Sequence, residues 1–381
     1  MNRPLQILQT AGLVLLSLGL SRAQNIITFD APRAGTGAGQ GTLAQGITPT
    51  GETFGYFVDS SGVAHGFLRT RNSSGMAHGL LRTRNGTFAT FSAPEAGRNS
   101  GQGTFAFGLN PARTITGYYI DGGGVMHGYE RTAIGTFTTF DAPGAGTSAG
   151  LGTLGADINP AGVIAGYYFD ANNLAHAYLR AVNGRFTIFE APGAGTGSGQ
   201  GTGTATTIGL DAEGAVTGAY IDANNALHGY VRTPDGTITS IDAPGAGTGP
   251  GQGTDTDGLN SHGTIPGVYV DSSSVLHGFV RDPDGNFTTF DVPGAGTGPG
   301  QGTTPQGINP EGTITGNYID DNGVRHGFVR RTDGAISTFD APGAGTAAGQ
   351  GTFPLLDNPS AAITGYEIDG NGVSHGFIRC R

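Results

Sequence analysis

The chain has no lysine, no tryptophan and a single cysteine. With Cys380 as its one thiol it can form no internal disulfide, so stability in an oxidising compartment must come from packing. Without tryptophan the largest stacking surface for sugars is missing, and tyrosine and phenylalanine must serve in its place. Without lysine no glycine-rich loop here can be a phosphate cradle, which needs a lysine and a following helix N-terminus. Positive charge is scarce overall: 29 acidic residues face 19 basic ones, a net charge of −10. That balance excludes the electrostatic footprint of a nucleic-acid or anionic-lipid binder. Long hydrophobic runs are absent too. Ala11–Leu20 is apolar over only ten residues, well short of the ~20 that span a bilayer. Preceded by Arg3 and followed by Ser21-Arg22-Ala23, it has the layout of a cleaved export signal over residues 1–23. The expectation is one exported, monomeric domain over residues 24–381, extracellular, at the cell surface or periplasmic, with no membrane span.

What the chain does have is repetition. A Phe-Asp-Ala-Pro phrase, or a close variant, recurs with its second residue at Asp30, Ser92, Asp141, Glu190, Asp242, Asp291 and Asp340. The spacings are 62, 49, 49, 52, 49 and 49 residues. The long first gap holds a 13-residue tandem duplication, in which Val63–Gly75 is copied from Met76 onward. The 52-residue gap carries three extra residues around Gly203-Thr204-Ala205. Periods of roughly 40–50 residues mark propellers and related arrays. The 72 glycines fall in register with the repeat between short β-type segments, which argues for order.

One copy shows the local plan. Thr303–Asn309 leads into Asn309-Pro310-Glu311-Gly312, a type I turn signal. Thr313–Ile319 has the β-branched and aromatic content of a strand. Asp320-Asp321-Asn322-Gly323 reads as a hairpin connection, Val324–Arg330 as a third strand and Ala335–Phe339 as a fourth. The glycine-rich run Asp340–Thr352 then connects to the next copy. Four short antiparallel strands are the content of one propeller blade. The chain ends on Val373–Arg379, a third strand without a fourth, and starts after the signal on Asn25–Asp30, a fourth strand without partners. The expected fold is all-β: a seven-bladed β-propeller of four-stranded repeats of about 49 residues, closed by the N-terminal strand completing the last blade. A β-solenoid, the alternative, would need capping segments.

Each copy sets an Asp six residues before a His: Asp59/His65, Asp121/His127, Asp170/His176, Asp222/His228, Asp271/His277, Asp320/His326 and Asp369/His375. An Arg follows each His by four. Such pairs could be general-base dyads or metal ligands. Seven of them around a ring cannot converge on one substrate, so they read as hairpin-locking pairs. No catalytic, metal or cofactor residue is assigned, and the glycine-rich loops hold no regular carboxylate set for calcium. Contacts with a ligand are expected where the symmetry breaks: Arg71 and Arg84 in the duplication, Arg98 beside Arg33 and Glu95 in glycine-rich loops, and Asp255, Asp257 and His262 around one first turn. Each of these also fits neutral variation in a solvated loop.

The unit Gly307-Ile308-Asn309, Gly312, Thr315-Gly316, Gly323, His326-Gly327-Phe328 resembles the HAF-type bacterial extracellular repeat. That family is named for a His-Ala-Phe step, to which His176-Ala177-Tyr178 comes nearest. The resemblance implies secretion and repeat architecture, with no catalytic residues to carry over. The resulting functional expectation is a non-enzymatic binding or surface-interaction module for an extracellular polysaccharide or protein. The alternatives are a propeller glycan hydrolase or lyase, whose hallmark would be acidic residues from several copies converging at the axis, and a purely structural envelope or matrix component.

Overall fold

The computed structural model describes residues 25–70, 86–203, 208–358 and 360–380, and every regular element among them is a β-strand. Strands Gly41–Ile47, Thr53–Val58, Ala64–Thr70 and Thr87–Phe91 pair antiparallel in that order, from an inner strand to an outer one. The same order recurs over 103–140, 152–189, 201–241, 253–290 and 302–339. In the 201–241 copy the inner strand is split into Gly201–Thr202 and Gly209–Leu210, where the three extra residues fall. The last copy pairs Gly351–Asp357, Ile363–Ile368 and Ser374–Cys380, and its outer strand is Asn25–Phe29 from the other end of the chain.

Neighbouring copies meet at single parallel bridges between the start of one third strand and the start of the next inner strand, as in Ala64↔Gly103 and Leu276↔Gly302. The bridge Ser374↔Gly41 joins the last copy to the first, so the array closes on itself. Turn asparagines add to the closure: the Asn110 side chain donates to the Asn159 carbonyl, and that of Asn358 to the Thr48 carbonyl at 2.9 Å.

The core lies between copies rather than within them. The aromatic residue of each third strand, for example Phe67, Tyr129, Tyr178, Phe279 and Phe377, is fully buried. The arginine four residues after each histidine, which the sequence leaves without a role, lays its guanidinium over the outer-strand phenylalanine of the preceding copy. Arg131 sits 4.6 Å from the Phe91 centroid, Arg180 4.5 Å from Phe140 and Arg379 4.4 Å from Phe339. A desolvated cation–π contact of this kind contributes about 0.5–2 kcal/mol. Arg281 follows the Ile241 strand and so has no ring at that place.

The glycine-rich connectors are folded by two side chains. A threonine hydroxyl accepts the backbone N–H eleven residues earlier, as Thr303 does from Val292 and Thr352 from Ala341. A glutamine braces the loop from inside: Gln301 Oε1 accepts from Gly298 N–H, and its amide donates to the Asp321 carbonyl. The glycine that follows cannot be replaced. At Gly302, φ is 122°, and an added Cβ would lie 2.0 Å from the Leu276 carbonyl oxygen at the inter-copy bridge. Gly300, with φ 75°, has open space around it. Gly302→Ala is expected to lower stability by at least about 3 kcal/mol, strain and clash together, and Gly300→Ala by only about 1 kcal/mol. Denaturant melts of the two variants check the difference.

Candidate binding channel

Each hairpin aspartate folds its own turn. Asp121 Oδ1 accepts N–H bonds from Gly123 and Val125, both at 2.8 Å, and Asp320 does the same for Asn322 and Val324. Partial burial opposes ionisation of these carboxyls, yet the backbone donors and the nearby imidazole outweigh it and hold them below the ordinary carboxylate value. Folded pKa values below the unfolded ones mean that this stabilisation is present above about pH 4 and is lost as the pH falls through the folded values.

The histidines do more than lock the hairpin. In six copies the shorter contact runs from Nδ1 to the acidic residue of the next outer strand. His127 reaches Asp141 at 2.9 Å against 3.6 Å for Asp121, and His326 reaches Asp340 at 2.9 Å against 3.6 Å for Asp320. His176 pairs with Glu190, His228 with Asp242, and His277 with Asp291, with Asp170, Asp222 and Asp271 farther off. His375 takes Asp30 from the chain's first strand at 2.9 Å, with Asp369 at 3.8 Å. Only His65 has its hairpin partner Asp59 close, at 3.1 Å, because Ser92 replaces the outer carboxylate. Each ring also stacks on a second-strand aromatic, 4.8–5.0 Å between centroids, except His375.

Of the symmetry-breaking residues, Arg71 and Arg84 lie outside the described residues. Arg98 is exposed on its glycine-rich loop, and His262 is exposed in a turn where its backbone N–H donates to Asn260 Oδ1. Glu95 accepts from the Tyr119 hydroxyl at 3.1 Å, and Arg33 reaches Thr90. Cys380 is not the exposed thiol its position near the chain end suggests: it is half-buried opposite Asn25. Asp255 and Asp257 correct the solvated-loop reading. Asp255 is half-buried on the inner strand Gly253–Thr256, and Asp257 is 2% exposed just beyond it.

Asp257 belongs to a ring of equivalent inner-strand residues, Gln45, Phe107, Ala156, Ile208, Asp257, Gln306 and Leu355, all bordering one cavity of about 250 Å³. Asp157, which the sequence reading missed, lines it as well. Its column holds glycine in five copies (Gly46, Gly108, Gly209, Gly258, Gly307) and Leu356 in the last, so a comparison of the copies could have found it. Its carboxylate accepts N–H bonds from Ile158 at 2.8 Å and from Leu210 of the next copy at 3.1 Å. Burial pushes it up to about 6 in spite of those donors.

A second asymmetry lies beside the cavity. One second-strand column is tyrosine in four consecutive copies around the closed ring, Tyr366, Tyr56, Tyr118 and Tyr167, then Ala219, Val268 and Asn317. Tyr118 stacks on Phe107, a cavity wall, at 5.6 Å and 8°, and on Phe105 at 4.9 Å and 17°. Tyr56 meets Phe105 at 5.1 Å, and Tyr366 stacks on Phe353 at 4.7 Å. Burial raises the phenol of Tyr56, with Tyr366 and Tyr118 adding to the shift, and raises Tyr118 to about 12 with help from Tyr167. The four hydroxyls therefore form one neighbouring series. In the copies that follow the arc's end the same levels carry Asp255, Thr304 and Asn317, and the Arg325 guanidinium, which donates to Asn317 at 2.8 Å, lies 5.1 Å from the Phe353 centroid. A flat aromatic wall bordered by polar groups is the composition of a small-molecule site.

Glu367 is the third departure. It stands where the other copies place the aromatic under the histidine, is 2% exposed, and its Oε2 has no hydrogen-bond partner. Burial pushes it up to about 7; His375 opposes this, while Asp369 and Asp30 add to it. A folded value above the unfolded one gives stability that is full below about pH 4 and lost as pH rises through about 7. Glu367→Tyr, which restores the stack, is expected to stabilise by about 1–2 kcal/mol more at pH 8 than at pH 5 once solvent screening is allowed for. Thermal melts at the two pH values check this.

Neither a known family profile nor a curated protein matches the sequence. Among solved structures, the BP39L lectin from Burkholderia pseudomallei is similar with a TM-score of 0.53 at 12% identity, over 88% of this chain and 94% of that one. Puromycin hydrolase is similar at 0.50 and 13%, over 87% of this chain but half of that one. AofleA from Arthrobotrys oligospora gives 0.44 and 13%, over 83% and 89%. At such identities the likeness is one of fold, and it establishes an all-β, propeller-like architecture.

Proposed function

We propose that the chain is a secreted, monomeric, seven-bladed propeller of the HAF-repeat type that acts as an extracellular carbohydrate-binding module. The observation that carries this reading is the aromatic arc of Tyr366, Tyr56 and Tyr118 with Phe105 and Phe107, bordered by the polar pair Asn317 and Arg325. The C–H faces of a pyranose pack on flat rings while its hydroxyls need convergent donors and acceptors, and this channel supplies both in a chain without tryptophan. The fold likeness to a protein named a lectin favours the same reading. The sequence of residues 1–23 supports export.

One observation favours a second reading, the glycan hydrolase or lyase. Asp157 and Asp257 come from different copies to one cavity, and Asp157 is raised toward the range of a general acid. Release of reducing ends from a bound glycan would establish it.

Titration of the folded chain against a panel of neutral, acidic and amino oligosaccharides tests the module. Binding is expected for at least one class. Tyr118→Ala should weaken it about tenfold, as a lost stack worth about 1–1.5 kcal/mol implies, while Arg98→Ala on the loop face leaves it unchanged. No binding to any glycan would overturn the reading.

A further inference from the structure

We propose that Arg325 receives a sugar carboxylate, so that the glycan bound here carries uronic acid residues. The inference rests on the carbohydrate reading and names the substrate class at the seam between the sixth copy and the last. Arg325 opens the third strand of its copy, in a column that otherwise holds Ala64, Met126, Ala175, Leu227, Leu276 and Ser374. It is half-buried, yet no carboxylate pairs with it among the described residues; its hydrogen bond goes to Asn317 Oδ1. Other arginines are placed differently: the repeat arginine Arg131 lies over an outer-strand phenylalanine, and Arg113 pairs with Glu52. Burial works against the charge of Arg325, and the neighbour that favours it is the Tyr366 phenol rather than an acid. A guanidinium stays protonated in such a place, so the charge is present and uncompensated. A cation in a partly dry site attracts an anion more strongly than one in open water.

The site is built rather than incidental. Arg325 and Asn317 both depart from their columns in the same copy, and the 2.8 Å bond between them holds the guanidinium by its Nη1 side. That leaves the Nε and Nη2 N–H groups, whose parallel directions match the two oxygens of a carboxylate. The guanidinium carbon lies 5.1 Å from the Phe353 centroid, and Phe353 stacks on Tyr366 at 4.7 Å and 10°. Thr304, directly across the strand pair from Asn317, has a buried hydroxyl with no hydrogen-bond partner. An unused donor thus stands in the same copy as the guanidinium, while the next copy offers an aromatic face for the sugar ring. Tyr366 is also the first member of the aromatic arc, close enough to Tyr56 for the two phenols to interact. Asp157 and Asp257 lie farther along the inner strands than the level of Phe353 and leave Arg325 unpaired. A neutral sugar would leave the guanidinium uncompensated, and an amino sugar would place like charge beside it.

Calorimetry at neutral pH with an oligogalacturonate and its methyl ester of equal length tests the proposal. The free acid is expected to bind at least about tenfold more tightly, as a charge-assisted bidentate pair implies, and to lose part of that preference in high salt. Arg325→Met, which gives this copy the side chain that Met126 supplies in another, should bring the ratio close to one while leaving the ester's affinity in place. Arg325→Gln serves the same purpose should the first variant fail to fold. Equal affinity for acid and ester, or a preference that survives the substitution, would overturn this inference and leave the carbohydrate reading standing. Tighter binding of a sulfated oligosaccharide of equal length than of the acid would do the same. Absence of binding by either form and by every other glycan would overturn both.

Discussion

Everything in this molecule depends on the pairing of its first strand with its last. Asn25–Phe29 runs antiparallel to Ser374–Cys380, and His375 adds a side-chain bond to Asp30. Without that pairing the last copy would expose an edge of unpaired backbone groups, and the first would lose its neighbour. The burial scheme makes the loss non-local. Each repeat arginine except Arg281 packs on a ring of the preceding copy, and each glycine at a bridge lies against the carbonyl of a neighbouring third strand. No copy owns a complete core, so each is stable only between two others.

The same constraint accounts for the recurrent polar residues. A carboxylate at the hairpin, an imidazole on the third strand and a carboxylate on the outer strand form a row that ties three segments of one copy together. The full row recurs in six copies, and in the first Ser92 takes the place of the outer carboxylate. It sits away from the channel-lining residues, and its hairpin aspartates are held ionised chiefly by the backbone N–H groups of their own turns. A dyad that serves as a strut is a poor proton carrier, since its geometry is already satisfied in the resting protein.

Much of this was legible in the sequence, and what was not has a definite cause. The expected strands Thr313–Ile319, Val324–Arg330 and Ala335–Phe339 differ from the observed Ile314–Ile319, Arg325–Arg330 and Ile336–Phe339 by one residue each. Turn chemistry and periodicity are local signals, and they were read correctly. The imidazole's closer partner lies fourteen residues away, or 345 for His375, and depends on strand register that no short window contains. The arginine role depends on a contact between copies. Asp157 and the tyrosine column carry no loop signal at all: surface variation makes asymmetry conspicuous in loops, while these departures lie on the inner and second strands.

That location follows from the ring itself. Residues on the two faces are spread around a circumference, so a change in one copy stays beside its own copy. Residues of the inner strands converge, and Gln45, Asp157, Asp257 and Gln306, from four different copies, border the same few hundred cubic ångströms. Only there can substitutions distributed over the whole chain act on one ligand. The closing strand thus also defines the channel, because the ring is shut only where Asn25–Phe29 pairs with Ser374–Cys380 and Gly41 bridges Ser374.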